Sequence, residues 1–155
     1  MKRLFSLWLI FLLMTGFVLT GCGGSGRGTA VAHNHPMAAL DTMPIEVQRS
    51  GRKMQEAYQF AVANPQVVDN IPCYCGCASM GHTSNYDCYV AGITESGDTQ
   101  FDEHAQYCSI CLDITQDTMH MMDEGKTTAD IFTQIELDYA RFGPPTVKLE
   151  AGQTS

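Results

Sequence analysis

The sequence predicts a mainly helical α+β domain, small and single, with an irregular cysteine-rich loop and a β-hairpin. Three observations support this. Apolar residues recur at helical spacing in three separate segments. A stretch dense in Cys, Gly, Ser and Thr interrupts them. A turn of Ser96-Gly97-Asp98 lies between two short runs of strand-forming residues.

The first helix is expected in "GRKMQEAYQFAVAN", where Met54, Ala57, Tyr58, Ala61 and Val62 share one face. Asn64-Pro65 ends it, a short turn follows through "PQVVDNI", and Pro72 stops that turn. Cys73 to Asn85 reads as a loop built around its sulfurs. "CYVAGI" and "TQFDEH", on either side of the turn, form the hairpin. "CSICLDITQDTMHMMDEG" is the second helix, with Cys111, Ile114, Thr118 and Met121 on one stripe and Gly125 as its C-terminal cap. "TTADIFTQIELDYARFG" is the third. Thr127 and Asp130 stand at capping-box spacing, and Ile131, Ile135, Tyr139 and Phe142 form the buried face. Gly143-Pro144-Pro145 terminates it, and residues 146–155 read as a frayed tail.

The N-terminus bears on location. Lys2 and Arg3 precede an apolar run from Leu4 to Leu19. That length suits a secretory signal and falls short of the roughly twenty residues of a membrane span. "LTGC" at Leu19 to Cys22 resembles the lipobox of bacterial lipoproteins, which implies cleavage before Cys22 and a diacylglyceryl group on its thiol. The expected organisation is a lipoprotein signal peptide at 1–21, a lipidated flexible tether at 22–44, a Cys-rich domain at 45–145 and the tail. The chain is then extracytoplasmic and anchored to a cell or outer membrane, with the lipid bilayer as a partner through Cys22.

The chain has nine basic and 17 acidic residues. Without Lys2 and Arg3 seven basic residues remain, a charge of −10. Such a surface repels nucleic acid and attracts cations. Small exported domains commonly need disulfides or a metal to stabilise them. Six cysteines remain beside Cys22: Cys73, Cys75, Cys77, Cys88, Cys108 and Cys111.

Their spacing favours a metal. On extended backbone the thiols of Cys73, Cys75 and Cys77 point the same way, with neighbouring Cα atoms about 6.6 Å apart. That is poor disulfide geometry and good geometry for a shared ion. Cys108 and Cys111, at i and i+3 where a helix starts, face one point. The helix N-terminus favours their thiolates. His82 and His104 flank the two clusters as further imidazole donors, His82 in the loop being the better candidate and His104 a hydrogen-bond partner for a thiolate, and each is equally well read as a hydrogen-bonded structural histidine. Soft thiolates select Cu(I), zinc or iron–sulfur clusters. Cu(I) is the leading ion and zinc the second. Three disulfides and a redox-active CxxC remain open alternatives. Met80 lies in the loop, and Met119, Met121 and Met122 read as core filler. "HNHPM", with His33, His35 and Met37, reads equally as a passing copper-capturing group and as a polar linker. No hydrolase triad, phosphate-binding loop or haem-attachment CxxCH is present, which argues against an ordinary hydrolytic or nucleotide-dependent enzyme. The chain reads as a metal-binding protein with a metal-donor or metal-acceptor protein as a partner, the alternatives being a thiol–disulfide oxidoreductase and a zinc- or disulfide-stapled module that binds a partner protein.

"PCYCGC" at Pro72 to Cys77 resembles the signature of the PCYCGC-motif lipoproteins of bacteria and archaea. The likeness extends through Gly81-His82, Asp87-Cys88, His104 and "CSICLDI", over residues 50 to 142. It implies an exported, often lipid-anchored domain with all six cysteines in family positions. It implies no mechanism.

Overall fold

The computed structural model describes residues 33–146. The lipobox, Cys22 and the segment after it lie outside the described residues. No helix among those described is long and apolar enough to cross a membrane.

Six helices and one hairpin make the domain. They are α1 (Ile45–Gln48), α2 (Arg52–Ala63), α3 (Pro65–Val68), β1 (Val90–Ile93), β2 (Thr99–Phe101), α4 (His104–Tyr107), α5 (Ser109–Asp123) and α6 (Thr128–Tyr139). The three long helices are those that the apolar periodicity predicts. Helix α5 packs against both α2 and α6. Its stripe of Cys111, Ile114, Thr118 and Met121 is buried as expected, and Met119 joins it in the core. On α2 the fully buried residues are Ala57, Tyr58, Phe60 and Ala61. The expected face omits Phe60, and its flanks Met54 and Val62 are only partly buried. The face is rotated because the incoming chain covers Phe60: His35 stands edge-on to its ring, with centroids 4.8 Å apart.

The ends of the helices follow local chemistry. The Thr127 hydroxyl accepts from the Asp130 amide at 3.2 Å and caps α6. Gly125, at φ 80°, lets the Lys126 amide return to the Met121 carbonyl at 3.0 Å and close α5. Phe142 departs from the expected buried face. Helix α6 gives way to a tighter turn at Ala140–Phe142, which swings that ring outward to 49% exposure.

The strands pair antiparallel with Val90 opposite Phe101 and Ile93 opposite Thr99, and the register shifts between Val90 and Gly92. The hairpin brings together the residues just outside it. The Asp102 amide donates to the Tyr89 carbonyl at 2.9 Å, so Cys88 and His104 leave the same end of the ribbon.

Two expected boundaries move. Residues 33–44 are part of the folded unit and not of a tether. Asn64, buried, donates to the Pro36 carbonyl at 2.9 Å, Gln59 donates to the Ala38 carbonyl, and Met43 is core. At the other end Thr146 is not frayed. It is 3% exposed, its amide donates to the Cys73 carbonyl at 2.8 Å, and its hydroxyl accepts from the Cys73 amide at 2.7 Å. Residues 147–155 lie outside the described residues.

Candidate metal centre

Three segments that are remote in sequence converge on one buried point. The first carries Cys73, Cys75 and Cys77. It is held by the Thr146 hydrogen bonds and by the Asn85 amide, which donates to the Ile71 carbonyl at 2.7 Å. The loop is not uniformly extended, as the parallel-thiol expectation required. Gly76 adopts φ 85°, a left-handed angle that costs a glycine little, and turns Cys77 into a short 3-10 helix at Cys77–Met80. Cys73 and Cys75 therefore stay together, with sulfurs 3.4 Å apart, while Cys77 turns to Cys88 at 3.8 Å.

The second segment ends in Cys88, just before β1. The Asp87 carboxylate fixes the preceding loop by accepting from the Thr83 amide at 2.6 Å, the Thr83 hydroxyl and the Ser84 amide. The third is the first turn of α5. Cys111 is fully buried, and Cys108 is the N-cap residue. Beneath Cys111, the hydroxyl of the buried Tyr89 donates to the Cys111 carbonyl at 2.9 Å and lies 2.6 Å from the Thr115 hydroxyl, to which Asn85 also donates. This polar network fixes the backbone that carries the sulfur.

The sulfur of Cys111 lies 3.4 Å from Cys88, 3.5 Å from Cys73 and 3.6 Å from Cys75. All six thiols are free. Their separations are far beyond the roughly 2.05 Å of a disulfide. They are close to the edge of a metal polyhedron. With metal–sulfur bonds of about 2.3 Å, a tetrahedron places its sulfurs about 3.8 Å apart. Two adjoining sets result. Cys75, His104, Cys108 and Cys111 offer donor atoms within 4.8 Å of one another, and so do Cys73, Cys77 and Cys88. These groups are able to hold metal ions.

The histidines occupy different places. His104 Nε2 lies 3.5 Å from Cys75 and belongs to the first set. His82, the better candidate from the sequence, belongs to neither, because its ring is turned between Cys88 and Asp102. Its Nδ1 is 3.6 Å from Cys88 and its Nε2 is 3.7 Å from Asp102, beside the His104 ring at 5.3 Å. Asp102 has no signal in the sequence. It reaches His82 only because the hairpin folds back, and it also accepts from the His104 amide at 2.7 Å.

Crowding governs ionisation. Hydrogen bonds from Cys111, and next from Cys73, hold the Cys75 thiol far below its ordinary range. The same sharing pushes its neighbours up: Cys73 through Cys111, Cys77 through Cys73, and Cys88 through Cys111. Burial raises Cys108, against the expected pull of the helix N-terminus. One thiolate is therefore stabilised by protonated neighbours. Ionising all of them together requires a cation to offset their repulsion.

Among the described residues the only sheet is the two-stranded hairpin. The βαβ setting of a thioredoxin-type CxxC is absent there.

A family model described as "Protein of unknown function with PCYCGC motif" matches residues 11–148. The chain belongs to the PCYCGC-motif family. The match is wider than the resemblance over 50–142 and takes in His33, His35 and Thr146 as well. No curated protein and no solved structure gives a significant match.

Proposed function

We propose that this PCYCGC-motif protein is an extracytoplasmic lipoprotein, anchored through Cys22, that binds Cu(I) at Cys73, Cys75, Cys77, Cys88, Cys108 and Cys111 for sequestration or delivery. One observation carries the reading: six unpaired thiols from three segments adjoin at the spacing of metal ligands, with His104 completing one set. Soft thiolate donors favour Cu(I) over hard cations, and zinc is the second choice. Seven donors exceed a single tetrahedral site, which supports a centre of more than one ion. Bound metal would also protect the thiols in an oxidising compartment. His82 orients Cys88 in this reading and is not itself a ligand.

The test is anaerobic purification of the full-length chain in detergent, a count of reactive thiols with and without denaturant, and elemental analysis. Copper bound by thiols that react only after unfolding is the expected result. Three intact disulfides and no uptake of copper or zinc would overturn it. Turnover of a disulfide substrate, abolished by Cys108→Ser in a folded protein, would establish a thiol–disulfide oxidoreductase instead.

A further inference from the structure

A second group of donors stands at the other end of α5. Asp123 is the last residue of that helix, twelve positions after Cys111, or about 18 Å along the axis. Its carboxylate faces the first residues of the folded unit. Asp123 Oδ2 lies 3.2 Å from His33 Nδ1, and Oδ1 lies 3.1 Å from His35 Nδ1. The Asn34 amide donates to Oδ1 at 2.9 Å and holds the carboxylate between the two rings. The rings are 4.8 Å apart.

The His35 side chain is 2% exposed. Its Nε2 has no hydrogen-bond partner and the buried Nε2 of His33 has none either, while its Nδ1 meets the Asp123 carboxylate. The approach of His35 Nδ1 to the carboxylate is an ionic contact off the line of a well-aligned hydrogen bond. Buried imidazole nitrogens left without partners are costly in a protein that holds nothing between them. The distances suit an ion. Bonds of about 2.0 Å from a tetrahedral metal to nitrogen and oxygen give donor separations of about 3.3 Å.

We propose that His33, His35 and Asp123 form a separate site for a borderline divalent cation, Zn²⁺, Ni²⁺ or Cu²⁺, with its remaining position open to water. Two imidazoles and a carboxylate suit such ions, whereas the thiol cluster suits Cu(I). The site shares no donor with that cluster. Occupied, it fastens the start of the folded unit to the end of the helix whose first turn carries Cys108 and Cys111.

The test titrates the reduced, anaerobic full-length chain with Zn²⁺. Bound zinc is counted by chelator competition, and the histidine ring signals are followed by ¹⁵N NMR. Asp123→Asn and His33→Gln are compared with the wild type. Asp123→Asn keeps an oxygen for the Asn34 amide, and His33→Gln alters only a partly exposed side chain. The wild type is expected to bind one more Zn²⁺ than either variant, with shifts at the His33 and His35 rings. Metal-free melting of His33→Gln should match the wild type. Equal zinc counts in all three proteins, or ring signals of His33 and His35 unmoved by zinc, would show an ordinary ion pair and overturn the proposal. The outcome is independent of the thiol reading: ring shifts at His33 and His35 without thiol-bound zinc would leave this site standing, and the thiol centre is tested separately with Cu(I).

Discussion

Replacing Cys111 by serine tests the cluster at its centre. The sulfur lies within 3.6 Å of three others, Cys88, Cys73 and Cys75, and so adjoins both donor sets. Serine places a shorter hydroxyl there, un-ionised at neutral pH and a poor ligand for a soft ion. The set of Cys75, His104, Cys108 and Cys111 falls from four donors to three, and the set of Cys73, Cys77 and Cys88 loses the sulfur of the other set that touches both Cys73 and Cys88. Disturbing groups that merely orient ligands costs roughly 10–100-fold in metal affinity. Removal of a direct ligand between the two sets should exceed that, so Cys111→Ser is expected to weaken Cu(I) binding by at least ~100-fold at both sets. Cys108→Ser, outside the close sulfur contacts, should weaken the first set alone. The assay is anaerobic competition with a Cu(I)-selective chromophoric chelator, read as ions retained per chain. The buried hydroxyl costs the fold roughly 1–3 kcal/mol, so circular dichroism must show that the variant is folded. A folded Cys111→Ser protein that retains copper with wild-type affinity would refute the reasoning.

The thiols of Cys73, Cys77 and Cys88 are raised and hence protonated at neutral pH, so binding must displace their protons. Cu(I) affinity is expected to rise with pH, up to about tenfold per unit for each proton displaced, with matching acid release into an indicator solution; an affinity flat between pH 6 and 8 would contradict this. Tyr89→Phe removes the donor to the Cys111 carbonyl and should lower stability by about 1–3 kcal/mol in a denaturant melt, with a weaker metal centre. Gly76→Ala meets open space but retains φ 85°, so its cost of roughly 1–2 kcal/mol is conformational. It should lower the melting temperature and weaken the set that contains Cys77 more than the other.

The helices were legible because their apolar faces repeat over several turns. Ile131, Ile135 and Tyr139 sit inside as the period requires. The hairpin was legible from its turn chemistry. Phe60 and Phe142 were misplaced because tertiary partners decide them: one is covered by the incoming chain, and the other turns outward where α6 tightens. The convergence of 73–77 with 108–111 could be anticipated from thiol spacing. The turn of Cys77 toward Cys88 could not, because it depends on one left-handed glycine. Nothing in the sequence marks Asp102 or Asp123. Only chain reversal, through the hairpin in one case and the packing of residues 33–35 in the other, places them beside histidines.

Cys73 takes both of its backbone partners from Thr146, 73 positions downstream. The motif therefore attains its final shape only when the backbone at Thr146 has docked. A chain stopped at residue 145 would retain every sulfur yet lack the fastening that holds the first of them. Removing Thr146 should therefore act on the metal loop as directly as a substitution within it.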